Sequence, residues 1–187
     1  AGRVADVLAI TAAAPLGAFA VLGNHDHTSH SAEVLTRELG RVGILVLRNQ
    51  PARVAKRKKV WIVGVESIAT RSADARVASV GVPNDAVKIM LIHEPDFADY
   101  AYIKVAIQIS GHSHGGQIRI PGLPAYSPPG AKKYRWDYYP HAPSPVFVSR
   151  GVGTVGLPAR VACPPEVALL RLCNDHSAVG TPPIAFS

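Results

Sequence analysis

Three short apolar runs in this chain each end on histidine. Ala18–Leu22 (AFAVL) leads into Gly23-Asn24-His25-Asp26, Lys88–Ile92 (KIMLI) into His93, and Val105–Ser110 (VAIQIS) into Gly111-His112-Ser113-His114-Gly115-Gly116. Runs this short and this apolar read as buried strands, and polar residues gathered at strand ends are how α/β proteins build their sites. Five of the eight histidines (His25, His27, His93, His112 and His114) lie in these three places. The fold expected is therefore α/β, with the three strand ends brought together.

The rest of the chain alternates in the same way. Ser31–Gly40 (SAEVLTRELG) has apolar side chains at Val34, Leu35 and Leu39, which predicts a helix stopped by glycine. Ile44–Leu47 and Val60–Val65 read as strands, Ser72–Val80 as a helix and Phe97–Ile103 as a short helix. Val146–Ser149 and Val167–Leu172 are the last strands expected. Ten of the 16 prolines fall between Pro121 and Pro165, which predicts long ordered loops. Residues 174–187 read as a flexible tail, which leaves one domain over residues 1–173.

Composition removes several classes. With 48% apolar residues over 187 positions, the chain can bury a core and is too hydrophobic for a disordered protein. Cys163 and Cys173 cannot make a disulfide framework or a zinc knuckle. The uncharged stretch Leu8–Gly23 is shorter than the roughly 20 residues of a membrane span, and Pro15-Leu16-Gly17 breaks it. It reads as a helix to about Ala14, a turn, and the strand Ala18–Leu22. Lys plus Arg exceeds Asp plus Glu by 20 − 13 = 7, so the surface favours anionic partners. The basic run Arg53–Lys59 (RVAKRKK) has no interleaved aromatics and reads as a solvated turn or protected sheet edge. Lys132–Tyr139 (KKYRWDYY) is the basic-aromatic cluster, expected as a loop over the site.

Asparagine and histidine without thiolate suit manganese, iron, zinc or similar cations. Glycines on both sides of His112-Ser113-His114 fit a backbone that turns sharply, from which the two rings can reach neighbouring metals. Two metals about 3.5–4 Å apart clamp a phosphate and sharpen a bridging hydroxide.

In order and spacing these motifs resemble the calcineurin-like metallophosphoesterases. Gly23-Asn24-His25-Asp26 is similar to the family's GNHD/E motif, Ile92-His93-Glu94-Pro95-Asp96-Phe97 to its single-histidine motif, and Gly111–Gln117 to its GHxH motif. The GGQ extension, Ser149–Thr154, Leu157-Pro158 and Cys163-Pro164-Pro165-Glu166 resemble a bacterial phosphodiesterase branch, so the likeness runs from about Leu16 to Leu172. The resemblance implies a four-layer α/β/β/α sandwich that hydrolyses phosphomono- or phosphodiesters with two divalent ions of the Mn, Fe or Zn type. It implies Asn24, His93 and His112 as ligands of the second metal, with Asn24 also touching the phosphate, and His114 as a ligand of the first. His25 is implied to protonate the leaving-group oxygen. His27 and His30 fall outside the motifs and read as loop residues. Asp26 either orients His25 or turns the chain.

The family's pattern begins with D-x-H and G-D-x-x-D motifs, and both would precede Gly23. Only 22 residues stand there, and their one acidic residue, Asp6, has no histidine two positions on and reads as a solvent-facing helix residue. The expectation is an N-terminally truncated enzyme: a sandwich incomplete at its start, at most one well-held ion, little activity alone and an exposed sheet edge. The alternative is a non-catalytic basic module that binds nucleic acid or anionic lipid with steep salt dependence and indifference to chelator. The partner expected is a phosphate ester, lipid- or nucleotide-linked, with peripheral membrane association open and no specific nucleic-acid binding. The compartment, bacterial cytoplasm or envelope, and the oligomeric state stay open.

Overall fold

The computed structural model describes residues 2–173, so the expected tail at 174–187 lies outside the described residues. Helix α1 (Gly2–Leu8) runs on as a 3-10 turn over Ala9–Ala13, and strand β1 (Ala18–Ala20) follows. Helices α2 (Asn24–Thr28) and α3 (Ala32–Arg41) then lead to β2 (Ile44–Val46), β3 (Gln50–Arg53) and β4 (Val60–Gly64). Helix α4 (Ala75–Ala78) precedes β5 (Val87–Leu91), β6 (Ile107–Ser110), β7 (Asp137–Tyr139) and β8 (Val146–Val148). Strands β3 to β8 form a six-stranded mixed sheet in the order β3-β4-β5-β6-β8-β7. Its four inner strands are parallel and its two edges antiparallel. Strands β1 and β2 make a separate parallel pair, and the other edge of β1 has no strand partner among the described residues.

The two-residue period of the strands sorts their side chains. Ile62, Ile89, Ile107 and Phe147 pack in one cluster with Phe19, Val21 and Leu47, which joins the large sheet to the small one. Their neighbours Val63, Met90 and Ile92 pack with Ala75, Ala78 and Phe97. On the small sheet, Ala18, Ala20, Ile44 and Val46 pack with Ala5 of α1 and Leu39 of α3. Each fully buried Val, Ile, Met or Phe contributes about 1.5–3 kcal/mol relative to exposure. Packing of this kind, more than a three-residue ladder, holds β1 and β2 in place.

Several expected elements change for local reasons. The helix foreseen at Ser72–Val80 is only Ala75–Ala78, because the Asp74 carboxylate caps it by accepting the N–H groups of Arg76 and Val77. In place of a helix over Phe97–Ile103 there is a 3-10 turn at Pro95–Asp99, with Pro95 setting its first φ. Val167–Leu172 has no ladder partner and is not a strand; its alternation reflects Ala168 and Leu170 packing beside Phe147. The aromatic-basic segment does not line the site, and only residues 132–136 of it are loop. Asp137–Tyr139 is the edge strand β7, and Tyr134 is buried against Val146 and Val148.

Other readings stand as expected. Arg53–Lys59 is the end and exposed turn of the β3–β4 hairpin, and Asp6 is exposed and pairs with Arg41 at 2.6 Å. Among the described residues, no helix is long and apolar enough to cross a membrane.

Candidate metal centre

Because β4, β5, β6 and β8 are parallel, their C-terminal ends share one edge of the sheet, and the turn after β1 reaches the same place. Gly23 opens α2, and the Asp26 carboxylate accepts its N–H at 2.8 Å. Asp26 therefore turns the chain, which answers the choice its sequence left open. A Cβ at residue 23 would stand 2.8 Å from His93 Cε1 and 2.9 Å from both ring nitrogens. Only glycine lets the imidazole lie across the start of α2.

His93 Nε2 is 3.0 Å from Asn24 Oδ1 and 3.1 Å from His112 Nδ1. His112 Nε2 meets the Pro129 carbonyl at 2.8 Å. A carbonyl can only accept, so the neutral His112 ring carries its proton on Nε2 and leaves a lone pair on Nδ1. Asn24 Oδ1 and His112 Nδ1 are then two acceptors that share at most one proton on His93. Two ligands at right angles, each about 2.1 Å from one cation, stand about 3.0 Å apart. Both distances from His93 Nε2 match that spacing, and Asn24 Oδ1 and His112 Nδ1 bring lone pairs to it, so the donor set fits a borderline divalent cation.

Glu94 strengthens that fit and was not singled out in the sequence. Its carboxylate and the His93 and His112 nitrogens lie within 4.8 Å of one another. It is 1% exposed and accepts from the Ser67 hydroxyl at 2.5 Å and the Ile68 N–H at 3.1 Å. No Lys or Arg pairs with it among the described residues, and a buried carboxylate without a cation beside it is costly. The signal available was its place directly after His93.

His114 leaves the opposite nitrogen free. Its Nδ1 donates to the Gly153 carbonyl at 3.4 Å, so Nε2 holds the lone pair. His25 is exposed on the first turn of α2 and lines the same cavity as His93, His112 and His114. That cavity encloses about 1250 Å³. Burial drives the His93 pKa down to about 3, helped by the charges of His112, His114 and His25, and burial also lowers that of His114. His93 thus stays neutral, as a ligand must be, well below the ordinary imidazole value. His27 is not a loop residue: it lies on α2, with Nε2 3.0 Å from Glu66 Oε1 but without an aligned hydrogen bond. The glycines around the last motif divide unequally. Gly115 and Gly116 have φ of 61° and 82°, whereas Gly111 has neither a positive φ nor any crowding at a Cβ position.

Comparison with known proteins adds names to this geometry. The chain is 32% identical over 170 residues to the uncharacterized metallophosphoesterase YkuE of Bacillus subtilis (strain 168), which covers 87% of this chain and 58% of YkuE. It is 30% identical over 162 residues to the phosphodiesterase YaeI of Escherichia coli (strain K12), covering 82% and 57% respectively. It is 29% identical over 164 residues to the uncharacterized metallophosphoesterase YkoQ of Bacillus subtilis (strain 168), covering 83% and 60%. The chain belongs to the calcineurin-like metallophosphoesterase family. Within that family it is similar to YkuE, and it spans less than two thirds of the length of each of these relatives. No family model and no solved structure matches it.

Proposed function

We propose that this chain carries the histidine-bearing part of a phosphoesterase active site, on an α/β/β/α sandwich whose layers meet in the three apolar clusters. Asn24, His93 and His112 would hold one divalent cation and His114 would contribute to a second. Such ions, of the Mn, Fe or Zn type, supply positive charge against the phosphate and lower the pKa of a bound water. The observation that carries this reading is His93 Nε2 placed between two acceptors at 3.0 and 3.1 Å. Asn24 turns Oδ1 toward His93, and its amide N–H groups, unbonded among the described residues, are free to donate to a phosphate oxygen. Exposed His25, on the cavity wall, donates the proton to the departing alkoxide.

The substrate proposed is a phosphate ester of an apolar alcohol. Val21, Ile68, Tyr126, Val155 and Leu157 line the cavity, and no Lys or Arg lines it among the described residues. This favours a lipid-linked ester over a nucleotide-linked one, whose further phosphates would want cationic partners. The carboxylates that line the cavity, Asp26 and Glu94, already accept backbone or hydroxyl donors. Among the described residues no other carboxylate lines the cavity, so the second cation site is poor in acidic ligands and the 187 residues alone hydrolyse little or nothing.

Calorimetric titration with Zn²⁺ tests the site. The chain should bind, and His112→Ala should weaken binding by roughly tenfold or more. Equal affinity in both would overturn the assignment. Brisk manganese-dependent turnover of a chromogenic phosphodiester, abolished by His112→Ala, would overturn the inactivity.

A further inference from the structure

His112–Gln117 is folded against its own backbone preferences. His112, His114 and Gln117 have φ of 67°, 51° and 47°. A positive φ is strained for any residue with a Cβ, so three of them within six positions need support from outside.

The support comes from residues 150–166, which contribute no helix or strand and meet the motif at the bridge Ile118↔Val161. Arg160 spends its guanidinium on main-chain carbonyls and, at 3.6 Å, on the Cys163 sulfur. Nη1 donates to His114 at 3.2 Å and to Cys163 at 3.4 Å. Nη2 donates to Arg150 at 2.8 Å and to Gly153 at 2.6 Å, and Nε to Gly153 at 3.0 Å. No carboxylate pairs with the half-buried Arg160 among the described residues. The Gly153 carbonyl it holds is the one that takes the His114 ring proton. The guanidinium therefore grips His114 twice: directly at its carbonyl, and at its ring through Gly153. Cys163, 1% exposed, completes the clamp, with Sγ 3.3 Å from the carbonyls of both His114 and Gly115.

We infer that Arg160 is a positioning residue, holding the His114 peptide in its left-handed turn and the His114 ring in the Nδ1-protonated tautomer so that Nε2 faces a cation. The inference deepens the phosphoesterase reading and rests on it for the identity of what His114 meets. Lysine cannot replace the fork: its three donors radiate from one point on a flexible stem, whereas the planar guanidinium spans four carbonyls at once.

The test is nitrogen-15 NMR of the histidine and arginine side chains in the metal-free 187-residue chain. His114 should be protonated on Nδ1, and the Arg160 Nε–H should exchange slowly with water. In Arg160→Lys, His114 should move toward the Nε2-protonated form, while His93 and His112 keep their wild-type spectra. With Zn²⁺ as the probe, the concentration that half-shifts His114 should rise roughly tenfold in Arg160→Lys, and that for His112 should stay within about twofold. Unchanged His114 tautomer and half-shift concentration in a folded Arg160→Lys would overturn the inference. Should that variant not fold, the wild type decides: an Nε2-protonated His114 or a freely exchanging Arg160 guanidinium overturns it alone. If Zn²⁺ shifts neither His93 nor His112 in the wild type, the metal-site reading fails, while the tautomer result still judges Arg160.

Discussion

Alanine at position 23 tests the centre without touching a ligand. Gly23 has φ −101° and ψ 173°, which any residue adopts, so Gly23→Ala adds a methyl group and no backbone strain. That methyl would stand 2.8 Å from His93 Cε1. An ordinary carbon–carbon contact is about 3.5 Å or more, so the ring must retreat by roughly 0.7 Å. Coordination tolerates about 0.2 Å, which places His93 outside bonding range of a cation that Asn24 and His112 still hold. Overpacking of this kind costs about 1–3 kcal/mol, and displacing one ligand should weaken cation affinity roughly 10- to 100-fold. Gly111→Ala is the control, since a Cβ there meets nothing within 4 Å and the backbone is unstrained. Thermal unfolding and Zn²⁺ calorimetry on both variants read the two effects. If Gly23→Ala melts and binds Zn²⁺ like the wild type, or if Gly111→Ala is equally damaging, then His93 is not wedged against α2 as described.

Three further outcomes follow from the same geometry. His93 has a pKa near 3 when folded and about 6.5 when unfolded, so the unfolded chain takes up a proton first as pH falls. Its contribution is complete above pH 6.5 and fades toward pH 3; urea midpoints of the metal-free chain should fall across that window, and less steeply in His93→Gln. Glu94→Gln keeps the shape but sets an amide or a neutral oxygen against the Ser67 hydroxyl and the Ile68 N–H; it should cost about 1–3 kcal/mol in chemical denaturation and weaken Zn²⁺ binding. Asp26→Ala removes the bond to the Gly23 N–H and should cost about 0.5–1.5 kcal/mol, with the His25 ring resonances unmoved. A large shift of those resonances would restore an orienting role for Asp26.

The strands that carry the site were legible because burial on both faces leaves continuous apolar runs. Val87–Leu91, Ile107–Ser110 and Val146–Val148 appear within a residue or two of where their hydrophobicity places them. Strand β7 was not legible: Asp137-Tyr138-Tyr139 looks like any polar aromatic segment until β8 offers it a ladder. The reverse error at Val167–Leu172 has the same origin. Alternation reports which side chains pack, and only a neighbouring backbone turns an extended segment into a strand.

The site divides along a similar line. Asn24, His25, His93, His112 and His114 announce themselves by residue type and motif, and all five line one cavity. What distinguishes their roles is written in main-chain carbonyls, which have no sequence letter. Pro129 takes the Nε2 proton of His112, and Gly153 takes the Nδ1 proton of His114. Two histidines two positions apart, both at positive φ, thereby leave their lone pairs on different ring nitrogens. Neither carbonyl lies near the motif in sequence; they are brought to it by the proline-rich loops that looked like mere connection. The composition that marked residues 121–165 as loop thus marked where the tautomers of the candidate metal centre are decided, a role visible only once Arg160 and Pro129 are seen against the histidines they contact.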